Sequence, residues 1–380
     1  MRNRMLLLGA IAILVAAPAM AFHDGGVANC QGCHTMHNSQ GGAAMNKSAN
    51  GLAAGLGVGH GYTDLLLYPN ASDVCLNCHG RAAGGGYNVW MDTPTNPAPG
   101  DYYSAGNFTF LKEDNINDGH GGSTSAILGD QSGHNMASGI KGTGWDPVLT
   151  APPSDGSGPL DNNNIYCSSC HDPHGNSSFR MLYRQGQQVD IGGDTVTYAA
   201  TMEAVGIGTS DTETNSLHNA YYSGYSEWCA SCHTGFHNGA GNLIHPSGVA
   251  LSATVIAKYN AYNGTTDCVG NPGPPCGTGV AATAYLATVP FEDPDDTTYT
   301  TTSTVGPSAA SKVACVTCHR AHATSAKDSG RWDFQVTLLH EDGEESGAWA
   351  LPNPYDVDQR SLCNKCHSQD EFDELPSTLP

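Results

Sequence analysis

The chain has 380 residues with 36 acidic against 15 basic side chains, a formal net charge of −21, and such a surface excludes nucleic acid and anionic lipid as partners. Hydrophobic residues make up 39% of it, with 47 Gly and 21 Pro, a thin supply for an aliphatic core in a chain of this length.

In chain order, Arg2 and Arg4 precede an apolar run from Leu6 to Ala17, and Ala19-Met20-Ala21 precedes Phe22. This pattern predicts a secretory signal peptide over residues 1–21 and a mature, exported chain over 22–380. It is too short for a membrane span, and no other stretch approaches the ~18 apolar residues that a span requires. Loss of Arg2 and Arg4 leaves 13 basic against 36 acidic residues, a net charge of −23.

Six times thereafter the chain writes Cys, two residues, Cys, His. The copies are Cys30 to Cys33-His34, Cys75 to Cys78-His79, Cys167 to Cys170-His171, Cys229 to Cys232-His233, Cys315 to Cys318-His319 and Cys363 to Cys366-His367. With 14 Cys and 17 His in the chain, chance accounts for about 0.02 copies. The pattern is the attachment signature of c-type haem: two thiols add to the porphyrin vinyl groups and the adjacent imidazole binds the iron as proximal ligand. Six covalent haems are therefore predicted. A zinc site would want paired Cys or His groups converging on one ion, and a thioredoxin-like pair would not be followed by His six times. The intervals between copies are unequal, so the chain reads as an array of sites in one continuous domain rather than as a solenoid.

The intervening segments are rich in turn residues. Short helices are expected across or just after the haem motifs, over 251–262 and over 280–286. Strands are expected only over 195–198 and 297–304. The predicted fold is a multihaem cytochrome c, mostly irregular coil and turns with few short helices and little strand, wrapped around a continuous stack of six haems that serves as its core. The acidic runs 292–296 and 341–345 read as solvated loops. Cys268 and Cys276 lie outside the motifs and flank a Gly/Pro-rich loop, which favours a disulfide in an exported chain over two free thiols or an intermolecular bridge.

Eleven His remain for the far side of the irons. His37, His174, His237 and His322 follow haem motifs at three or four residues, where a helical turn throws the imidazole away from its own haem and toward a neighbour's. His23, His134 and His245 are further distal candidates by position. His60, His120, His218 and His340 read as surface residues. Met36, Met45, Met91, Met136, Met181 and Met202 supply a rival ligand set, although they do not track the motifs.

The segments Phe22-His23-Asp24-Gly25-Gly26 leading into the first motif, Cys167 to His174-Gly175, Ser226-Glu227-Trp228-Cys229 to His237-Asn238, His245-Pro246, Cys318 to His322-Ala323 and Leu362 to His367 resemble those of the OmcS-type extracellular hexahaem cytochromes of metal-reducing bacteria. The likeness covers all six motifs in order and about half the residues; the loop from Cys268 to Cys276 departs from it. The resemblance implies bis-His irons throughout, sparse regular structure, no catalysis, and polymerisation outside the cell into filaments with an unbroken haem chain. It implies that His37 ligates the haem of the fifth motif in the adjacent subunit. His23, His134, His174, His237, His245 and His322 fall in matching local motifs, which with His37 makes seven candidates for six irons. Electrons would arrive from periplasmic or outer-membrane cytochromes and leave to extracellular acceptors such as metal oxides. A monomeric electron shuttle and a multihaem oxyanion reductase are the alternatives; the reductase would need an open iron.

Overall fold

A computed structural model describes residues 30–35, 39–40, 43–44, 65–80, 88–90, 104–112, 132–144, 159–160, 165–207, 213–236, 247–263, 278–334, 336, 338–339 and 360–367. Expected features that fall outside them are the signal peptide, His23, His37, His237, His245, the Cys268 and Cys276 pair, His60, His120, His340 and the 341–345 run.

Five α-helices occur among the described residues: α1 (Ala71–His79), α2 (Cys167–Cys170), α3 (Tyr225–Cys229), α4 (Ala253–Ala261) and α5 (Cys315–Cys318). The two nine-residue helices begin on side-chain caps. Asn70 Oδ1 accepts from Asp73 N at 2.8 Å and Ser252 Oγ accepts from Val255 N at 3.2 Å, each satisfying one amide that the helix start leaves orphaned. In α2 and α5 the third residue turns back instead: Ser169 Oγ accepts from Tyr166 N and Thr317 Oγ1 from Ala314 N, both at 3.0 Å. No helix among the described residues is long and apolar enough to cross a membrane.

Strand structure is confined to three antiparallel two-stranded ribbons: β1 (Ser39–Gln40) with β2 (Ala43–Ala44), β3 (Gln188–Ile191) with β4 (Asp194–Thr197), and β5 (Glu203–Val205) with β6 (Ala220–Ser223). The strand expected over 195–198 is β4. Residues 297–304 form turns instead, because Asp295 accepts from Thr297 and Thr298 and closes the chain with the Tyr299 N to Asp295 O bond. The helix expected over 280–286 shortens to one 3-10 turn, Ala281–Thr283.

Apolar burial falls into four clusters, and each abuts motif cysteines. Leu76, Trp90, Phe108, Phe110 and Met136 pack beside Cys167; Leu182, Met202, Tyr221, Tyr225 and Val316 beside Cys170; Leu160, Ile191, Val196 and Tyr198 beside Cys232; and Tyr259, Tyr285, Phe291, Tyr299 and Trp332 beside Cys318, Cys363 and Cys366. Aromatic rings carry much of this burial, since a few large flat groups offset a shortage of aliphatics.

Two expectations are corrected here. His218 is fully buried rather than at the surface: its ring lies 3.8 Å from that of Tyr285, and its two nitrogens lie 2.8 Å from the carbonyls of Asn219 and Ser303. Both nitrogens are engaged, so the ring is structural. Glu292 and Asp293 are also buried rather than solvated. Asp293 accepts from Ser308 and Ser311, and Glu292 Oε1 accepts from Tyr225 N at 2.6 Å, at the start of α3.

A candidate multihaem site

Every motif takes one helical turn. The amides of His34, His171, His233, His319 and His367 each donate to the carbonyl of the first Cys of their own motif at 2.8–3.0 Å, and the second motif lies within α1. One turn puts thiols three apart on one face with the imidazole beside them.

All twelve motif cysteines are free of disulfides, and consecutive motifs meet through their sulfurs. Cys33 senses Cys78, the Cys75 thiol hydrogen-bonds Cys167, Cys170 senses Cys232, the Cys229 thiol hydrogen-bonds Cys315, and Cys318 senses Cys363 and Cys366. The six sites therefore follow one another in space in sequence order. Burial pushes the Cys170 and Cys366 thiols up to about 12 and Cys232 to about 11, which keeps them neutral.

Three described histidines from the distal set face proximal ones. His34 and His174 have ring centroids 6.3 Å apart with planes 5° from parallel. His171 and His322 are 6.4 Å apart, and His233 and His134 are 5.8 Å apart. Two imidazoles on opposite sides of one metal, each bonded at about 2 Å, hold their ring centres about 6 Å apart, so all three pairs fit a shared iron. Neither His174 nor His322 faces the imidazole of its own motif. Met136, one of the rival ligands, touches a thiol: its Sδ is 3.1 Å from Cys167 Sγ.

The ring tautomers agree with this arrangement. Nδ1 of His171 lies 2.8 Å from Arg180 O, Nδ1 of His319 lies 2.8 Å from Asp328 O, and Nδ1 of His134 lies 2.6 Å from Ala321 O. A proton held on Nδ1 by a carbonyl leaves the Nε2 lone pair for a metal. Burial also pushes His171 and His319 below the usual histidine range and His322 down to about 3, so these imidazoles are neutral. The residues present thus fit c-type haem: two thiols and an imidazole in each motif, the imidazole tautomer-locked in the third and fifth, and, at three sites, a second imidazole across from it.

The carbonyl partners were not visible in the sequence. Arg180 and Asp328 are each nine residues beyond a proximal His, and Arg180-Met181 and Asp328-Ser329 all have φ between 53° and 58°. This left-handed pair turns the chain back so that Met181 O accepts from Asp172 N and Ser329 O from Arg320 N, both at 2.8 Å. The same return closes the first motif: Leu65, with φ 56°, accepts from Thr35 N at 2.8 Å, and Leu67 N donates to Cys33 O. Motifs one, three and five therefore share one cradle, closed 31 residues after the proximal His in the first and 10 residues after it in the other two.

Backbone packing fixes the distal side. The extended segment 322–324 runs between 105–107 and 132–134: His322 N donates to Ala105 O, Asn107 N to Ala323 O, His134 N to His322 O and Thr324 N to Ser132 O, at 2.7–2.9 Å. Gly106 and Gly133 permit this approach, since a Cβ on them would meet Ala323 O at 2.2 Å and His322 O at 2.1 Å. The bonds between 322–324 and 132–134 thus tie His322 and His134 together. Lys365, inside the sixth motif, is fully buried with Nζ 4.4 Å from the Tyr259 ring centre, and burial lowers it to about 7.

No protein-family model matches the chain. Among curated proteins it is 31% identical over 449 aligned positions to the C-type cytochrome OmcS of Geobacter sulfurreducens, covering 96% of this chain and 98% of that one. Two solved structures are similar to it: the Outer Membrane Cytochrome S filament from Geobacter sulfurreducens, with TM-score 0.71, and the OmcS nanowires of the same organism studied by cryo-EM, with TM-score 0.70. Each is 28% identical and covers 90% of this chain and 99% of the other. Identity at this level along nearly the whole of both chains places this protein in the OmcS family of c-type cytochromes.

Proposed function

We propose that the chain, after loss of residues 1–21, is a single hexahaem unit over 22–380 that conducts electrons outside the cell as the subunit of a filament. The thiols named above would hold six haems, with His34, His79, His171, His233, His319 and His367 as proximal ligands. When bound, each haem supplies a one-electron ferric–ferrous couple. The chain's own residues space the sites, close both faces of the metal and keep reactive small molecules from it. The observation that carries this reading is the pairing of proximal with distal imidazoles at 5.8–6.4 Å, because a metal closed on both sides transfers electrons and does not bind substrate.

The same pairing supports the filament. His322, three residues past the fifth motif, faces the third motif, and His174, three past the third, faces the first. The rule is that such a His serves the site two motifs earlier. Carried to His37 it points to none of the six sites, and none of the six motifs supplies such a His to the fifth. A neighbouring copy resolves both, its fifth site taking His37, and coordination across the junction would bind strongly acidic subunits together. His23, His237 and His245 remain for the second and sixth sites, with one spare, and Cys268 and Cys276 for a disulfide. The relatives' filaments and nanowires support this reading, in which electrons would pass from periplasmic or outer-membrane cytochromes to acceptors such as metal oxides.

Intact mass of the secreted protein should show six covalent haems, and the dithionite-reduced filament should bind no carbon monoxide. Fewer than six adducts, or stoichiometric carbon monoxide binding by the native protein, would overturn the proposal.

A further inference from the structure

The shared cradle allows an internal comparison that sequence similarity alone does not. Residues 166–183 and 314–331 run in register at an offset of 148, with the same amide bonds from His171 and His319 to the first Cys, from Asp172 and Arg320 to the left-handed residue, and from Tyr183 and Arg331 to the second Cys. Their last positions also do the same job with their side chains. Tyr183 Oη donates to Ser168 O at 2.9 Å, and Arg331 Nε donates to Val316 O at 2.6 Å. Ser168 and Val316 are the same residue of their respective Cys-x-x-Cys turns. A neutral phenol therefore suffices to cap this carbonyl, yet the fifth motif uses a guanidinium, which is always charged.

Arg331 is only 2% exposed. Its Nη1 and Nη2 donate to Ala287 O and Ser104 O at 3.2 and 3.3 Å, and Nη1 forms an ion pair with Glu213 stretched to 4.0 Å. Arg331 is bonded to the motif through Nε, and its field reaches Cys318 and His319; Glu213 lies against Nη1 and accepts from Asn219. Arg331 is thus the member of the pair that touches the fifth motif. The other buried difference has the same sign, Arg320 standing where the third motif has the half-buried Asp172. Arg180 and Asp328, opposite in sign at the left-handed position, are both exposed; Asp328 opposes Arg331 at His319, but it faces solvent, where salt screens it, whereas Arg331 is buried.

We infer that Arg331 raises the reduction potential of the fifth haem above the value that a neutral donor, such as the third motif's Tyr183, would leave there. A buried positive charge favours the reduced state, which carries one less positive charge, and low dielectric lengthens its reach. The inference rests on the haem reading above and specifies it: the fifth site is the one assigned to the subunit junction, so a neutral donor there would change how the potential steps from one subunit to the next.

The test uses the secreted holoprotein and Arg331→Tyr, which keeps the carbonyl donor that the third motif uses and removes the charge. Intact mass first establishes that each protein carries six haems. Spectroelectrochemical titration should then show one component of the six moved to lower potential in Arg331→Tyr, and one component moved to higher potential in Glu213→Gln, which removes the counter-charge. Opposite shifts are not expected from loosened packing. Six haems with both titrations superposable on wild type, or both variants shifted the same way, would refute the role of Arg331 and leave the conduit intact. A mass below six haems in the wild type would instead overturn the conduit reading itself.

Discussion

His174 and His322 were recognisable in the sequence by their spacing, but their destinations were not. A His three residues past a motif is thrown off its own site by helical geometry; which other site receives it depends on contacts across 140 and 151 residues that leave no local trace. The pairing makes a direct prediction. In His174→Ala and His322→Ala, one site opens, so the reduced protein should bind about one carbon monoxide per subunit where wild type binds none, and the double variant two. No carbon monoxide difference spectrum in either would show that these rings do not close an iron. A second residue-scale prediction concerns Glu292. Burial lifts its carboxyl from 4.5 to about 7, against the opposing Tyr225 amide and with Glu227, Lys312 and Cys315 nearby. The folded state therefore holds a proton that the unfolded chain has released, and stability falls as pH rises from about 4.5 through about 7, by on the order of 3 kcal/mol. Thermal unfolding of Glu292→Gln should lack this decline; an unchanged pH profile would mean that the carboxyl is already ionised in the fold.

At the level of elements, the legible part was whatever requires residue identity at fixed spacing. Covalent attachment needs two thiols and an imidazole in one turn, so all six motifs and their helical turns could be read directly. α4 was legible from its apolar spacing and β4 from its alternation. The cradle was not, because its working parts are backbone carbonyls aimed by left-handed residues. Arg180, Met181, Asp328, Ser329 and Leu65 share a conformation and no chemistry, and none is Gly. The distal segment was hidden for a similar reason, since its order rests on the close approach of Gly106 and Gly133. Gly133→Ala should push against His322 O, cost about 1–3 kcal/mol, and disturb two low-spin haem signals together, those of the third and fourth sites, because His134 N is bonded to His322 O. A variant with a full set of unperturbed electron paramagnetic resonance signals would separate ligand orientation from this packing.

Across the whole molecule, composition foretold the architecture better than any single element did. Few aliphatics, many Gly and a large acidic excess imply short elements, and the described residues show ribbons of two to four residues per strand and helices of at most nine. What composition missed was how much polar and charged chemistry lies inside: His218, Glu292, Asp293, Arg320, Arg331 and Lys365 are all buried. In the filament reading proposed above, the succession of the six sites through their sulfurs would continue into a neighbouring copy through His37. A helical reconstruction of the secreted protein is the most direct test. We expect six haems per subunit in one continuous chain, His174 opposite His34, His322 opposite His171, His134 opposite His233, and His37 entering the fifth haem of the neighbouring subunit. Single particles alone, or a haem chain broken at the subunit boundary with His37 away from any iron, would contradict it.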